Sequence, residues 1–253
     1  MLKIENTQIA GWGAAIRGMR NPMNSWAASD SVFVHKRLCD EGKDYALAEM
    51  CGGYAPVIKE NDFDLMTRLR NAGTDHRKFM RMITVYLDIT APLYWWKEAD
   101  TYKVGTVANS CSTMHKIADK EFVEGDFSTE HLLDFEDTGV EFPTIHGAEH
   151  APIWALNMTV KMLNFYREKY LETKKKPMKE EAKRAPLMKK YWWQMIQLLP
   201  SSYNQRRTVM LNYEVLANMY RSRRHHKLDE WNTFCDWIES LPYAELITGK
   251  EGK

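Results

Sequence analysis

The sequence predicts an α/β (α+β) fold, with a central antiparallel or mixed sheet flanked by helices and a helical C-terminal third. Three observations carry this. Ile83, Val85, Leu87 and Ile89 alternate with Met82, Thr84, Tyr86 and Asp88, the period of a strand with one buried face. Leu65, Met66 and Leu69 share one helical face in NDFDLMTRLRNAG. Toward the C-terminus, Leu211, Val215 and Met219 repeat at i, i+4, i+8, and Trp231, Phe234, Cys235, Ile238 and Leu241 form a second apolar stripe.

The first predicted helix opens with capping residues at Asn61 and Asp62 and closes at Gly73. The strand follows and is stopped at Pro92. Residues 93–101 (LYWWKEADT) read as helix, and ANSCSTMHK follows on a turn into another. Short polar side chains crowd that stretch as they do at a helix N-terminus, where they satisfy free backbone N–H groups. From 120 to 152 the chain is acidic and broken by Gly125, Gly139, Pro143 and Gly147, which reads as a loop excursion. A helix is expected over 153–173, and the charged TKKKPMKEEAKR beyond it reads as a solvated connection at about 173–186. The chain as a whole, 1–253, reads as a single domain.

With 253 residues, 44% of them hydrophobic and 27% charged, the chain can bury a substantial core. A formal net charge of +1 argues against general coating of nucleic acid, so affinity for phosphate has to come from local clusters. Cys39, Cys51, Cys111 and Cys235 form neither a C-x-x-C pair nor a regular framework, which fits reduced thiols. The start, MLKIENTQIAGWG, lacks a basic-then-apolar signal, and no apolar run reaches transmembrane length, so the expected location is the cytoplasm without membrane attachment.

Four basic clusters stand out: Arg17 with Arg20; His76, Arg77, Lys78 and Arg81; Arg206 with Arg207; and RSRRHHK, from Arg221 to Lys227. Guanidinium forks match phosphate oxygens two at a time, so converging arginines make an anion pocket without a basic surface overall. The ordinary alternative is a surface charge paired with one of the 34 acidic residues. RSRRHHK differs in joining two apolar stripes, which holds it near the core at both ends. HGAEH, His146 to His150, matches a zinc-binding H-x-x-E-H spacing, yet Gly147, Pro143 and Pro152 leave little helix to present it and no third ligand follows. No metal is expected. G-x-S-x-G, P-loop and G-x-G-x-x-G signatures are absent. Cys111 lies near His115 without an orienting carboxylate in sequence and reads as structural rather than nucleophilic.

The order of features over residues 62–237 is a helix, a strand ending in Ala91-Pro92, an aromatic helix, an N-x-x-S motif at Asn109 and Ser112, Leu199-Pro200, then N-x-x-x-L at Asn212 and Leu216 and a helix carrying Arg223. It resembles the flavin-dependent thymidylate synthases (ThyX). The opening IRGMRNPMNSW and closing RRHHKL and WIESLP segments are also similar to a divergent phage and prophage group related to ThyX. The resemblance implies a ThyX-type fold, a homotetramer, and reductive methylation of dUMP to dTMP using methylenetetrahydrofolate, FAD and NADPH.

Carried over by position, the family's ring-contacting arginine falls on Arg223, the candidate catalytic residue. The candidate substrate-binding set is Asn109, Ser112, Arg223, Arg224 and Arg17, and the cofactor-binding set is Tyr102, Lys103, His76, Arg77 and Asn212. The chain departs from the family pattern where an Arg-His-Arg triplet appears as Tyr102 and Lys103, a Glu as Ser110, a final Arg-Tyr as Met114 and His115, the Arg of N-x-R as Glu214, and a frequent Gln as Asp229. Two functions therefore stay open: a divergent flavin-dependent methylating enzyme, and a non-catalytic scaffold that binds a dUMP-like nucleotide. A single-strand-binding module is weaker, despite aromatics beside cations in YWWKEADTYK.

Overall fold

The alternation over 82–92 forms a strand from Thr84 onward, Met82 closing a short 3-10 helix before it, in the computed structural model, which describes residues 1–33, 56–134, 151–177 and 181–249. Strand β1 (Lys3–Ala10) pairs antiparallel with β2 (Thr84–Pro92), setting Ile4 opposite Ile89 and Ile9 opposite Val85. The register shifts between Glu5 and Gln8, where Asn6 takes a positive φ of 54°. That is the signature of a bulge. With β3 (Val107–Ser110) and β4 (Asn204–Asn212) the sheet order is β1-β2-β4-β3, confirming a mixed α/β fold around a central sheet.

The chain divides into two compact units. The larger takes in Leu2–Thr90, Lys97–Asn109 and Arg207–Lys253. Its core joins Ile83, just ahead of the sheet, and Val85, Leu87, Ile89 and Leu211 within it to Trp12, Ile16 and Met19 of α1 (Trp12–Arg20) and to Met66 of α2 (Glu60–Asn71), each worth about 1.5–3 kcal/mol when fully buried. Gly11 starts α1 at φ 94°, where a Cβ would come within 1.9 Å of the Met82 carbonyl oxygen. Only glycine fits there.

Helix α3 (Leu93–Ala99) ends in the larger unit, and α4 (Thr113–Lys116) belongs to the smaller. In the smaller unit α5 (Pro152–Lys174) packs along α6 (Glu181–Leu198). Between them and the preceding chain lies a core of Ile117, Ala118, Phe122, Phe127, Leu156, Leu163 and Met195. Phe122 and Phe127 come from the acidic stretch read as an excursion, and Phe127 bridges to Tyr203. HGAEH, Cys39 and Cys51 lie outside the described residues.

Beyond β4 come α7 (Tyr213–Arg223), α8 (Asp229–Glu239) and α9 (Glu245–Thr248). The C-terminal third is thus helical apart from β4, and Leu211 belongs to that strand rather than to a helical stripe. Its side chain reaches the core because strand and helix follow each other without a loop. Asn212, the last strand residue, caps α7 by accepting a hydrogen bond from Val215 N–H at 3.0 Å. Trp231, Phe234, Cys235 and Ile238 of α8 are buried as the apolar stripe predicts. Among the described residues no helix is long and apolar enough to cross a membrane.

Candidate functional site

Arg223 closes α7, where a cation is favoured by the carboxyl end of the helix dipole. Its guanidinium meets residues from two other segments of the larger unit. Glu98 sits in the last turn of α3, and the chain then turns through Thr101 N–H to Glu98 C=O (3.1 Å) and Tyr102 N–H to Ala99 C=O (3.1 Å). Tyr102 is thereby set beside Glu98. From the other side, a turn from His226 N–H to Arg223 C=O (3.0 Å) leads into α8 and Trp231.

The geometry is specific. Arg223 Nη1 donates to Glu98 Oε2 at 2.7 Å and Nε donates to Tyr102 Oη at 2.9 Å. The guanidinium carbon lies 4.9 Å from the Trp231 ring centroid and 5.6 Å from that of Tyr102, within cation–π range of both. Glu98 Oε2 also accepts from Trp231 Nε1 at 3.1 Å and faces His226 Nε2 at 3.4 Å. Leu228 N–H donates to His226 Nδ1 at 3.2 Å, which leaves Nε2 to carry the ring proton toward Glu98. An arginine has five N–H groups, of which Arg223 uses two here, and its Nη2 pair meets no acceptor among the described residues. The side chain is 19% exposed. The result is a guanidinium fixed on one edge, flanked by aromatic rings, with its other edge free to donate.

A second group surrounds Glu214 in the first turn of α7, which is almost completely buried. It accepts from Arg77 Nε at 3.2 Å and from Arg81 through Nε and, at 3.3 Å, Nη2, while Arg77 Nη2 reaches Asn218 Oδ1 at 3.5 Å. Burial alone would raise the Glu214 carboxyl pKa, but the hydrogen bonds and charges of Arg81 and Arg77 outweigh it and hold the pKa below its ordinary value. Glu214, where the family pattern has an arginine, therefore ties down two of the cations that the sequence offered for phosphate.

The remaining candidates are dispersed. Asn109 is exposed on β3, and Ser112 caps α4 by accepting from His115 N–H at 3.1 Å. Arg17, His76 and Lys103 are exposed. Arg224 turns to Asp236 (2.5 Å) and Glu239 (3.3 Å) on α8 instead of to the partners of Arg223. Of the sequence-derived set, Tyr102 and Arg223 are brought into contact. Glu98, His226 and Trp231 complete their group; His226 lies in the RSRRHHK cluster, but no local pattern marks Glu98 or Trp231, since Glu98 meets Arg223 across 125 positions and Trp231 across 133. Cys111 is exposed, and its backbone bonds to Arg206 and Gln205, while Cys235 is buried in α8.

The four-stranded sheet, with helices between and after its strands, has the fold of the solved ThyX structures to which the chain is similar. Among solved structures, the chain is similar over 98% of its length to 98% of thymidylate synthase X (ThyX) from Helicobacter pylori, determined with FAD and dUMP, with a TM-score of 0.58 and 14% identity. A second structure of the Helicobacter pylori enzyme with FAD and dUMP gives 0.56 and 16%, again over 98% of each chain. The UMP/dUMP methylase PolB from Streptomyces cacaoi, bound with 5-Br dUMP, gives 0.50 and 13% over 98% of this chain and 95% of that one. No family model matches the sequence, and no curated protein matches it.

Proposed function

We propose that this chain is a ThyX-like nucleotide-binding protein whose ligand is a uridine monophosphate of the dUMP class, with the Arg223 group as its central contact. The observation that carries the reading is the half-buried guanidinium of Arg223, oriented by Glu98 and Tyr102 and left with an unpartnered Nη2 edge. What supports the ligand class is that the three similar structures were determined with dUMP or its 5-bromo analogue. Asn109, Ser112, Arg224 and Arg17 remain proposed accessory contacts. Ser112 retains its hydroxyl proton to donate to a ligand oxygen while its lone pair caps α4.

The second reading is reductive methylation of that nucleotide, with FAD supplying the hydride chemistry and methylenetetrahydrofolate and NADPH as co-substrates; it is favoured by the chain-length likeness to a thymidylate synthase determined with FAD and dUMP and to a UMP/dUMP methylase. The residues proposed for flavin do not fit a diphosphate clamp as they stand. Arg77 is closed by Glu214 and Asn218, Tyr102 Oη accepts from Arg223, Asn212 Oδ1 caps α7, and only the exposed His76 and Lys103 are uncommitted to the groups described above. Nucleotide binding without flavin chemistry is accordingly the leading reading.

A homotetramer in the cytoplasm is the proposed setting. Trp154, Met158, Met162 and Phe165 line one exposed face of α5 at helical spacing, an apolar stripe suited to another copy of the chain.

Isothermal titration with dUMP, alongside the absorption spectrum of the purified protein at about 450 nm, tests both readings. Arg223→Ala is expected to weaken dUMP binding at least about tenfold, the loss of one hydrogen bond to a polar ligand group and its alignment. Arg184→Ala, in α6, should leave binding unchanged. Equal effects of the two substitutions remove Arg223 from the site, and a flavin spectrum with turnover of dUMP establishes the second reading.

A further inference from the structure

Deepening the reading of nucleotide binding without flavin chemistry, we infer that Glu214 is a built-in stand-in for phosphate: its carboxylate fills the place between Arg77 and Arg81 and so bars a diphosphate-bearing cofactor such as FAD from these arginines. The sequence puts this carboxylate where the family pattern carries an arginine, which reverses the charge at one position of a cationic group. Arg77 and Arg81 stand four positions apart on the short 3-10 helix Arg77–Met82, and Phe79 and Met80 between them are buried, so the backbone that carries both guanidiniums is fixed. Glu214 is fixed as well, in the first turn of α7, where the helix dipole favours an anion.

A carboxylate and a phosphate compete for the same donors, since guanidinium N–H groups pair with the oxygens of either. Glu214 Oε1 accepts from Arg77 Nε at 3.2 Å and from Arg81 Nη2 at 3.3 Å, and its Oε2 accepts from Arg81 Nε. Arg77 Nη2 turns to Asn218 Oδ1 at 3.5 Å, so each guanidinium is engaged through two of its three nitrogens. A diphosphate would have to displace an anion that is almost completely buried and that the arginines themselves hold charged at neutral pH. Being part of the chain, Glu214 loses no translational freedom on pairing, as a free diphosphate must. The surroundings add to the barrier. Asp75 sets a second negative charge against Arg81, and Arg70 spends its Nε and Nη2 on the carbonyl oxygens of Leu246 and Ile247.

The test titrates inorganic pyrophosphate, without metal, into wild type, Glu214→Gln, Arg81→Ala and the double variant Glu214→Gln with Arg81→Ala, and titrates FAD and dUMP into wild type. Glu214→Gln keeps the shape and removes the competing charge, so it should bind pyrophosphate at least about tenfold more tightly than wild type, the scale of one charge-assisted hydrogen bond. High salt should shrink that gain, and the double variant should abolish it. Arg81→Ala on its own should leave the affinity of wild type for pyrophosphate unchanged, since the guanidinium it removes is already taken. Wild type should not take up FAD. The inference is overturned if folded Glu214→Gln matches wild type, if Arg81→Ala alone weakens pyrophosphate binding, or if wild type binds FAD stoichiometrically. The Arg81 side chain is half-exposed, so its variant stays decisive should Glu214→Gln fail to fold. The dUMP titration answers separately: no binding of dUMP removes the nucleotide reading and leaves the pyrophosphate comparison to decide the role of Glu214.

Discussion

Asp62→Asn tests how the segment after α1 is held. Asp62 is fully buried in the first turn of α2, where its carboxylate accepts from Arg20 Nε (2.7 Å), Ser29 Oγ (2.7 Å), Asp30 N–H (3.2 Å) and Ser31 N–H (3.0 Å). Asp30 returns the favour by accepting from the N–H groups of Asn61 and Asp62 at the start of the same helix. Burial on its own would raise the Asp62 pKa, but the hydrogen bonds from Ser31, Ser29 and Arg20 bring it down from 3.8 to about 2. A carboxyl whose folded pKa is depressed adds stability above its unfolded pKa and loses it as pH falls through the folded value. Here that window runs from about pH 4 down to about pH 2, and the linkage amounts to roughly 2.5 kcal/mol at neutral pH. Asparagine also strands the buried Arg20 charge, so the total loss at pH 7 should be about 3–5 kcal/mol. Urea denaturation followed by circular dichroism at pH 7 and at pH 2.5 measures both effects. The gap between wild type and variant should shrink at the lower pH. A gap below about 1 kcal/mol at pH 7, or one that does not change with pH, would show that the Asp62 network is not stabilising the fold through its charge.

Two further substitutions and a labelling experiment test other parts of the structure. Gly105 has φ +77°, and a Cβ there would lie 2.7 Å from Asn212 Nδ2 and 3.0 Å from Val215 Cγ2. Gly105→Ala should therefore destabilise by about 1–3 kcal/mol, whereas Gly73→Ala, at φ +109° with open space around it, should show only the smaller backbone cost; equal thermal shifts would mean the contact with Asn212 is readily relieved. Thiol labelling of the native protein followed by peptide mass spectrometry should modify the exposed Cys111 and spare Cys235, whose pKa burial pushes up to about 11. Labelling of Cys235 at the rate of Cys111 would contradict the packing of α8.

The strand β2, Thr84–Pro92, was legible because one face is buried and the other partly exposed, so its alternation survives in the sequence. Its partners were not. In β4, Arg206 and Thr208 alternate with Gln205 and Val209, and a glutamine buried at 7% takes the place of an apolar signal. The strand then runs directly into α7, so Leu211 coincides with a helical spacing it does not belong to. β3 (VANS) is an edge strand exposed along its whole length and carries no periodicity at all. Around the candidate site, sequence position set Arg223 between two packed segments, and the structure has it at the end of α7 just ahead of α8. What it did not contain was the identity of the counter-charge. Of the basic clusters, Arg20, Arg77, Arg81 and Arg224 each find a carboxylate, which is the ordinary fate of a charge near a core.

The span between the partners of Arg223 has a kinetic side. Its bonds to Tyr102 and Glu98 and the bond from Trp231 to Glu98 cross 121, 125 and 133 residues, so none forms until nearly half the chain has been brought together. Contacts of such high order close late, because the entropy of so large a loop is lost before they can return anything. Helices α5 and α6, built on neighbours in sequence, have no such delay. During refolding, helical signal should therefore recover well before ligand affinity, and a chain interrupted between those two events would be ordered yet unable to bind.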